Sequence, residues 1–446
     1  MAIKEGLRTA LNLIRETSIQ SDTLYHRYID EVYPDTDIGA WASPILENPN
    51  VANEFFDVLI KRIVYTRIDT KRFNNPLAQL IGDRLPLGSI GQEIAFNPAK
   101  ARAFNVDDFA GLLARYEADI KVQYMELNSD LQYCVTATRA KIKDAFVSWD
   151  SLNQFIDGIV DTLYNGHFID QYRQSKALVT TAYASNNVQI EVVNAITSAD
   201  YAKAFVKKAR AIFKNFKFPS TAYNAWAKIG GYGRALLTWC NPEDVVILLR
   251  TDVSTELDVD VLASAFNMDK TTLMGKIIDV DNFDVYDGDE KVFDGSAIIG
   301  MIADKSWFRI KEQEVAMDEF YNPNNRSWQF FLNTVFMYQY SLFANAVVFA
   351  TSMPTVKATK VEFIDDTAFE LEEGSKAKRS VVLTPFNATS TVTFTSSASG
   401  VASVEKTGDH EVEITGVDAN ASPVTITATV ETSLTDTISV TVVAGS

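Results

Sequence analysis

The sequence predicts an α+β fold followed by an all-β sandwich of about ninety residues. The first part combines apolar residues at the 3.6-residue period of helices with shorter runs rich in Val and Ile, which are typical of strands. The second part differs in composition, because no Trp, Tyr or Cys follows Tyr340 while Thr, Ser and Val become frequent. Its apolar residues come at every second position, as in half-buried strands.

Composition is that of an ordinary globular protein with several domains. The 446 residues are enough for roughly two to four domains, and 47% of them are hydrophobic and 22% charged. The net charge of −17 argues against a protein whose main surface grips DNA or anionic lipid, but it is compatible with a local basic face.

The sequence shows no targeting or membrane segment and has few cysteines. The first twenty residues carry charges and lack the apolar core of a secretory signal, so we expect a cytoplasmic protein. The longest strongly apolar runs, such as residues 343–350, are too short to span a membrane. Cys134 and Cys240 are too few for a disulfide framework, and we expect both to be buried free thiols.

The N-terminal region begins with an amphipathic pattern. One face of the first predicted helix carries the apolar residues Ile3, Leu7, Ala10, Leu11 and Ile14, so this helix must dock on another surface. Residues 33–50 contain three prolines without a clear period and are predicted to be extended. Residues 58–96 predict two strands that flank a long projecting loop.

The middle of the chain is dominated by helical patterns. A 3.6-residue period from Phe109 to Leu131 predicts a helix, with Asp107 or Asp108 as its N-cap. A second helix is predicted to begin at Ser151, with Gln154 completing a capping box, and to be the longest in the chain. A strand from Asn187 and a helix over 199–216 follow.

Strands become frequent toward the C-terminus. Short strands are predicted near Asp244, Lys276, Ala297 and Trp307, with a helix from Asp258. A long aromatic strand over 328–342 is predicted to be covered on both faces. The terminal segment predicts six strands, near Val361, Ser380, Thr391, Val412, Val424 and Ile438.

Motifs for catalysis or metal binding are missing from the sequence. The three histidines, His26, His167 and His410, are scattered and have no cysteine partners. The glycine-rich stretch from Gly230 does not match a phosphate loop and is interpreted as a tight turn before a helix. The acidic stretch from Asp279 does not have EF-hand spacing, so a solvated hairpin is favoured over a calcium site. We therefore expect no enzyme activity, cofactor or metal.

One charge pattern is more specific. Basic residues repeat at helical spacing on the predicted helix 199–216 and just beyond it, opposite an apolar stripe that runs from Tyr201 to Phe216. They form either a solvated face or a docking face for an acidic partner or nucleic-acid phosphates. The basic residues are Lys203, Lys207, Arg210, Lys214 and Lys217.

Several stretches together resemble the major capsid proteins of phi29-type small podophages. They are "NNPL" from Asn74, "LPLGSIGQEI" from Leu85, "TELDVDVLASAFNM" from Thr255, "DKSWFRI" from Asp304 and "FANAVVFA" from Phe343. The terminal segment resembles the bacterial immunoglobulin-like (group 2) module, through "FTSSASGVASV" and "PVTITATV", with Phe394 where Trp is usual.

The resemblance implies a Hong Kong 97-type capsid fold, whose extended loop would contact neighbouring subunits. The implied parts are an N-terminal arm (1–57), an extended-loop region (58–105), a peripheral domain with a spine helix (106–219 and 318–354), an axial domain (220–317) and an immunoglobulin-like domain (355–446). The candidate assembly contacts are Arg72, Asn74, Asn75, Pro76, Arg84, Pro86, Leu87 and Gly88.

The function implied by the resemblance is a structural one. The chain would assemble with itself as hexamers and pentamers, with scaffolding and portal proteins as partners, in the host cytoplasm. The resulting head shell would enclose double-stranded DNA, bound without sequence specificity and without any membrane contact. The alternatives are a surface or secreted protein with an immunoglobulin-like appendage and a phage tail or fibre subunit.

Overall fold

The computed structural model describes most of the chain. The described residues are 8–9, 11–12, 15–16, 27–56, 73–86, 91–101, 115, 117–229, 235–257, 277–287, 290–431 and 433–445. They form two compact units. The first is drawn from Met1–Gly91, Tyr124–Ser175 and Arg309–Gln339, and the second from Gln92–Gln123, Lys176–Phe308 and Tyr340–Ser446.

Within the described ranges the helices are few, and one is much longer than the others. They are α1 (Ile38–Glu47), α2 (Arg139–Ala145), α3 (Trp149–Ala184), α4 (Ala199–Asn215), α5 (Trp226–Ile229) and α6 (Thr251–Glu256). Residues 49–56 are also helical.

Strands outnumber helices in the described residues. They are β1 (Gly91–Phe96), β2 (Ile120–Met125), β3 (Ser129–Thr138), β4 (Gln189–Val192), β5 (Val245–Arg250), β6 (Ile277–Val280), β7 (Val285–Asp287), β8 (Glu290–Phe293), β9 (Ile298–Asp304), β10 (Phe308–Asn322), β11 (Ser327–Tyr340), β12 (Ala346–Ala350), β13 (Lys360–Phe363), β14 (Phe369–Glu372), β15 (Lys376–Thr384), β16 (Val392–Ser396), β17 (Ala402–Gly408), β18 (Glu411–Gly416), β19 (Asn420–Val430) and β20 (Leu434–Val443).

The first unit is built on a three-stranded sheet in the order β10-β11-β3, with β11 antiparallel to β3. The predicted long aromatic strand is β11. Its even-numbered residues from Trp328 to Tyr338 are buried, whereas most residues of the opposite face are half-buried. Trp328 and Phe330 join residues of α1 and α3 in one aromatic core. One face of the strand is therefore covered as predicted, whereas the other face is only partly covered.

The predicted longest helix is confirmed as α3, which has 36 residues. It begins two residues earlier than predicted, at Trp149, because Ser148 is the capping residue. The Ser148 hydroxyl accepts a hydrogen bond from the backbone N–H of Ser151 (3.1 Å), which is the usual geometry of an N-cap. The predicted capping role of Ser151 is therefore wrong.

The helix predicted from Phe109 to Leu131 is wrong where the structure describes it. Residues 120–125 and 129–138 form strands β2 and β3, and much of the segment before them lies outside the described residues. Ile120 and Tyr124 are four residues apart, a spacing that fits a helix but also fits one face of a strand. Both side chains are exposed, so no buried helical stripe exists here.

The extended segment predicted over 33–50 is also wrong, because it contains helix α1. Asp37 caps this helix by accepting from the Ala40 N–H (3.0 Å), and Pro44 is accommodated inside it. Ile38, Trp41, Ala42 and Ile45 are buried at helical spacing. Leu11, from the predicted N-terminal helix, is buried in the same core, so this part of the arm docks within its own chain.

The second unit contains a five-stranded sheet in the order β4-β12-β9-β5-β6, which confirms the predicted strands of this region. Strands β5, β9 and β12 are buried along nearly their whole length, as expected for a sheet covered on both faces. Helix α4 begins at its Ser198 cap and packs Phe205 against Phe349 of the sheet (5.1 Å between ring centroids). The predicted helix from Asp258 lies outside the described residues.

Two loop predictions have different outcomes. The acidic stretch forms the antiparallel hairpin β7-β8, as favoured over a calcium site. The glycine-rich stretch itself lies outside the described residues, but the residues after it, 235–240, are not helical, so the predicted helix there is wrong.

The C-terminal region is a sandwich of two four-stranded sheets, β13-β15-β18-β17 and β14-β20-β19-β16. The six predicted strands are present, and β14 and β17 were not among them. Its apolar core is formed by residues between Ala358 and Val442, and Phe394 packs at its margin. The core of the sandwich therefore closes within the segment.

The thiols do not behave alike. Cys240 is a buried free thiol, as predicted. Cys134 is also free but exposed, which contradicts the prediction, because it falls on the outward face of β3.

Candidate assembly surfaces

The two-stranded ribbon of β1 and β2 exposes an apolar face. Exposure is 47% for Ile94, 59% for Phe96, 52% for Ile120 and 37% for Val122. Asn97 N donates to Asp119 O (3.1 Å), and continuing this antiparallel pairing places Phe96 opposite Ile120 and Ile94 opposite Val122. Residues that lie opposite each other share a face, so these four side chains form one patch, here called the apolar ribbon face.

The ribbon is attached to the rest of its unit by polar contacts. The Gln123 side chain donates to the backbone carbonyl of Tyr340 (2.8 Å) and accepts from the Leu342 N–H (2.9 Å). The Asn97 side chain donates to the carbonyl of Ala235 and accepts from the Leu237 N–H (2.9 Å each). These bonds fix the ribbon, while its apolar face is left uncovered by the part of the chain that the structure describes.

The predicted projecting loop is folded onto its own unit where the structure describes it, over residues 73–86. The Asn75 side chain is buried and donates to the side-chain amide oxygen of Gln171 on α3 (2.9 Å). Gly82 N donates to Ile310 O (2.9 Å) and Leu85 N to Glu312 O (2.6 Å), so the segment lies along β10. The prediction that this part projects is therefore wrong, because Gly82 and Leu85 are hydrogen-bonded to β10.

The candidate contact residues of this loop differ in their surroundings. Arg84 donates from Nε to the carbonyl of Gln313 (3.0 Å) and lies 3.8 Å from Glu312, which holds it against β10. Asn74, Pro76 and Pro86 are exposed. Three of the candidates, Arg72, Leu87 and Gly88, lie outside the described residues. A role of any of them in assembly stays a prediction.

The predicted basic residues do share one surface of α4 and the turn after it. All five are exposed, while Phe205, Ala209, Ile212, Phe213 and Phe216 on the opposite side are buried in the core of the unit. Tyr201, which the sequence placed in the apolar stripe, is exposed instead. We call the five residues Lys203, Lys207, Arg210, Lys214 and Lys217 the basic stripe.

A cavity of about 820 Å³ lies in the second unit, between the turn after α3 and the terminal sandwich. The Lys228 ammonium in its wall donates to the Asn186 side-chain oxygen (2.7 Å) and the Val188 carbonyl (2.8 Å). Burial lowers the pKa of Lys228 to about 8. Burial also lowers the pKa of His410, another residue of the cavity lining.

The sandwich is joined to the same turn by Asn387, which sequence reasoning did not identify. Its side-chain N–H group donates to the carbonyl of Ser185 and to the Asn187 side-chain oxygen (2.7 Å). Its own carbonyl accepts from the Asn186 side chain (2.8 Å). These partners are about 200 residues apart in sequence, so no local pattern indicates the contact.

No catalytic or metal-binding arrangement emerges from these surfaces. The described residues contain no cluster of three or more His, Cys, Asp or Glu side chains suited to a metal ion. No helix within the described ranges is long and apolar enough to cross a membrane.

Comparison with known proteins identifies the family of the protein that carries these surfaces. The sequence model of the family described as Phi29-like phage major capsid protein matches residues 11–350. The chain belongs to this family. The capsid protein is 29% identical over 321 residues to the major capsid protein of Bacillus phage B103, covering 71% of this chain and 68% of the relative. It is 26% identical over 389 residues to that of Bacillus phage PZA, covering 87% and 82%.

The fold of the capsid protein is of the Hong Kong 97 type. The capsid structure of Staphylococcus phage Andhra aligns with a TM-score of 0.52 at 13% identity, covering 65% of this chain and 87% of that one. The predicted fold class and capsid function are thus confirmed, in preference to a tail, fibre or secreted protein. The match to the family ends at residue 350, so the terminal sandwich lies beyond it.

Proposed function

We propose that the capsid protein assembles as hexamers and pentamers into a head shell that encloses double-stranded DNA, and that the apolar ribbon face is buried against a neighbouring subunit. A two-stranded ribbon is at best marginally stable by itself, and this one leaves four large apolar side chains in water. A scaffolding protein and a portal protein are the proposed partners during assembly in the host cytoplasm. No catalytic role is proposed for the chain.

Burial of the apolar ribbon face would supply a useful part of the association free energy. Covering a half-exposed large apolar side chain contributes about 1 kcal/mol, so the four side chains contribute about 4 kcal/mol per copy. Polar anchors such as Gln123 hold the other side of the ribbon, so little of this energy is spent on ordering it. Because a shell repeats the contact in every subunit, even a modest loss per contact should be visible in assembly.

The test replaces Ile120 and Val122 with serine and expresses the chain with its scaffolding protein. The matched control replaces Ile364 and Val417 of the sandwich, which are 44% and 45% exposed, in the same way. The Ile120 and Val122 variant should lose about 2 kcal/mol per contact, which raises the protein concentration needed for assembly about 30-fold. The control variant should assemble at the same concentration as the unmodified chain. Negative-stain microscopy and sedimentation measure the yield of shells, and equal yields from both variants would refute the role of the ribbon.

We also propose that residues 355–446 form an immunoglobulin-like appendage on the outside of the head. Its two sheets enclose a core formed within the segment. A chain that ends at Met353 should therefore still form shells with the scaffolding protein. Absence of closed shells from this truncated chain, when the full-length chain assembles under the same conditions, would show that the sandwich is integral to the lattice.

A further inference from the structure

We propose that the basic stripe of α4 binds phosphates of the enclosed duplex DNA, an inference that rests on the proposed function. The stripe is the outward side of a helix whose inward side is fixed in the core of the second unit. Helix α4 carries five basic residues and one acidic residue, in a chain whose net charge is −17. The stripe is therefore a local positive surface on an otherwise acidic protein.

Most cations of the stripe have no anionic partner among the described residues. Lys207, Arg210 and Lys214 make no ion pair or hydrogen bond there, and Lys203 lies 3.9 Å from Asp200, with both side chains highly exposed. Lys208, which is on the same helix but outside the stripe, is paired with Glu191 (2.5 Å) and the Val192 carbonyl (3.1 Å).

Several lysines elsewhere in the second unit are also paired. Lys376 and Lys378 of the sandwich lie 2.5 Å and 2.8 Å from Glu413 and Glu411. Lys291 bridges two aspartates of the acidic hairpin region. The stripe thus leaves its charges available, and exposed unpaired cations attract an anionic partner at long range.

The spacing of the stripe suits a duplex backbone. Its members follow at intervals of four, three, four and three residues, which keeps them on one side of the helix. Lys203 and Lys214 are eleven positions apart on α4, a rise of about 17 Å, and duplex DNA carries one phosphate charge per about 1.7 Å of its axis. Such a length of duplex presents about ten phosphates on its two strands, which is more than one for each cation of the stripe.

The composition of the stripe favours phosphate over an acidic protein surface. Lysine is depleted from the centres of protein interfaces, where buried aromatic residues usually anchor the partner. The exposed aromatic residues near the stripe, Tyr201 and Phe218, lie at its two ends, and Lys217 already covers the Phe218 ring (4.9 Å). The centre contains only small exposed residues, Ala204 and Ala211, between the cations. Phosphate contacts need no apolar anchor.

Binding through this stripe should be weak and strongly dependent on salt. Five phosphate contacts predict a slope of about −4.5 in a plot of log affinity against log salt concentration. Affinity would then fall about 500-fold between 50 and 200 mM salt. Because such contacts are weak and do not depend on sequence, they can hold the DNA that faces the stripe and still release it.

The experiment measures binding of the full-length, unassembled chain to a 30-base-pair duplex by fluorescence anisotropy at several salt concentrations. The test variant replaces Lys203, Lys207 and Lys214 with Gln, which changes helix propensity little. The salt dependence of this variant should be shallower, with a slope of about −1.8, so its affinity should change only about 12-fold over the same salt range. The control replaces the paired residues Lys360, Lys376 and Lys378 with Gln and removes the same charge. It should keep the slope of the unmodified chain.

Two outcomes would overturn the proposal. Circular dichroism checks that each variant is folded, and Arg210→Gln alone, expected to lower the slope by about one, provides a second variant with a smaller change. Equal slopes for the unmodified chain and the triple variant would overturn the proposal. If the triple variant lost binding to polyglutamate while its binding to the duplex stayed unchanged, the proposal would be overturned in favour of an acidic protein partner. Shell formation is scored separately by microscopy, so failure of the capsid proposal remains distinguishable from failure of this one.

Discussion

Asn387 connects the terminal sandwich to the turn after α3, and replacing it with alanine tests how firmly the sandwich is held. The side chain donates to the Ser185 carbonyl and the Asn187 side chain, whereas only its backbone carbonyl accepts from Asn186. Asn186 itself has a φ of 50°, a conformation that asparagine tolerates better than most residues. The contact therefore depends on a turn of defined shape.

The variant Asn387→Ala removes two hydrogen bonds and leaves the third, which uses the backbone. At about 0.5 to 1.5 kcal/mol for each bond, docking should weaken by about 1 to 3 kcal/mol. This corresponds to an increase of about 5- to 150-fold in the undocked population. The core of the sandwich does not include Asn387, so its own unfolding free energy should stay the same.

Hydrogen exchange followed by mass spectrometry measures this opening. Amides of residues 351–355 and 185–189 should exchange faster in Asn387→Ala, by up to about 5- to 150-fold, while those of β19 should not change. Asn420→Ala is the matched control, because it changes the same residue type in the same sandwich and removes only a local bond to Ser422 N. Unchanged exchange at the junction in Asn387→Ala would refute the role of this residue in docking.

Two further predictions concern stability of the unassembled chain, measured by urea unfolding. Gly300→Ala should lower the free energy of unfolding by about 1 to 3 kcal/mol, because a Cβ there would lie 2.5 Å from the Leu248 carbonyl oxygen. The control Gly158→Ala should not lower it, because the space around Gly158 is open. Burial lowers the pKa of His167 to about 4. The unfolded chain therefore takes up the proton first, and stability present above about pH 6.5 should fall by roughly 2 kcal/mol between pH 7 and pH 5. His167→Phe should lack this loss, and an equal pH dependence in both chains would contradict the assignment.

Helices α3 and α4 and most strands of the sandwich were predictable from the sequence, because burial of one face determines the period of each. Helix α4 must bury Phe205, Ile212 and Phe216, and the 3.6-residue period then places the cations on the other side. The basic stripe was therefore visible before the structure was known. The sandwich was visible in the same way, since alternation in segments such as β19 already separates core from solvent.

Two other segments, the described part of residues 109–131 and residues 33–50, were predicted wrongly because their local patterns can satisfy two geometries. Ile120 and Tyr124 fit both a helical and a strand face, and only pairing between β1 and β2 selects the strand. In α1, the prolines suggested an extended chain, but burial of Trp41 among aromatic residues of the first unit outweighs the hydrogen bond lost at Pro44.

The sequence by itself determined the capsid family, the long helices and the alternating strands, because these depend on residue order and on one buried face at a time. Tertiary structure alone decided which polar groups meet. Asn75 finds Gln171 across 96 residues of chain, and Asn387 finds Asn187 across 200. Such pairs carry no periodic signal, since each exists only after folding has removed its groups from water and left them to satisfy one another.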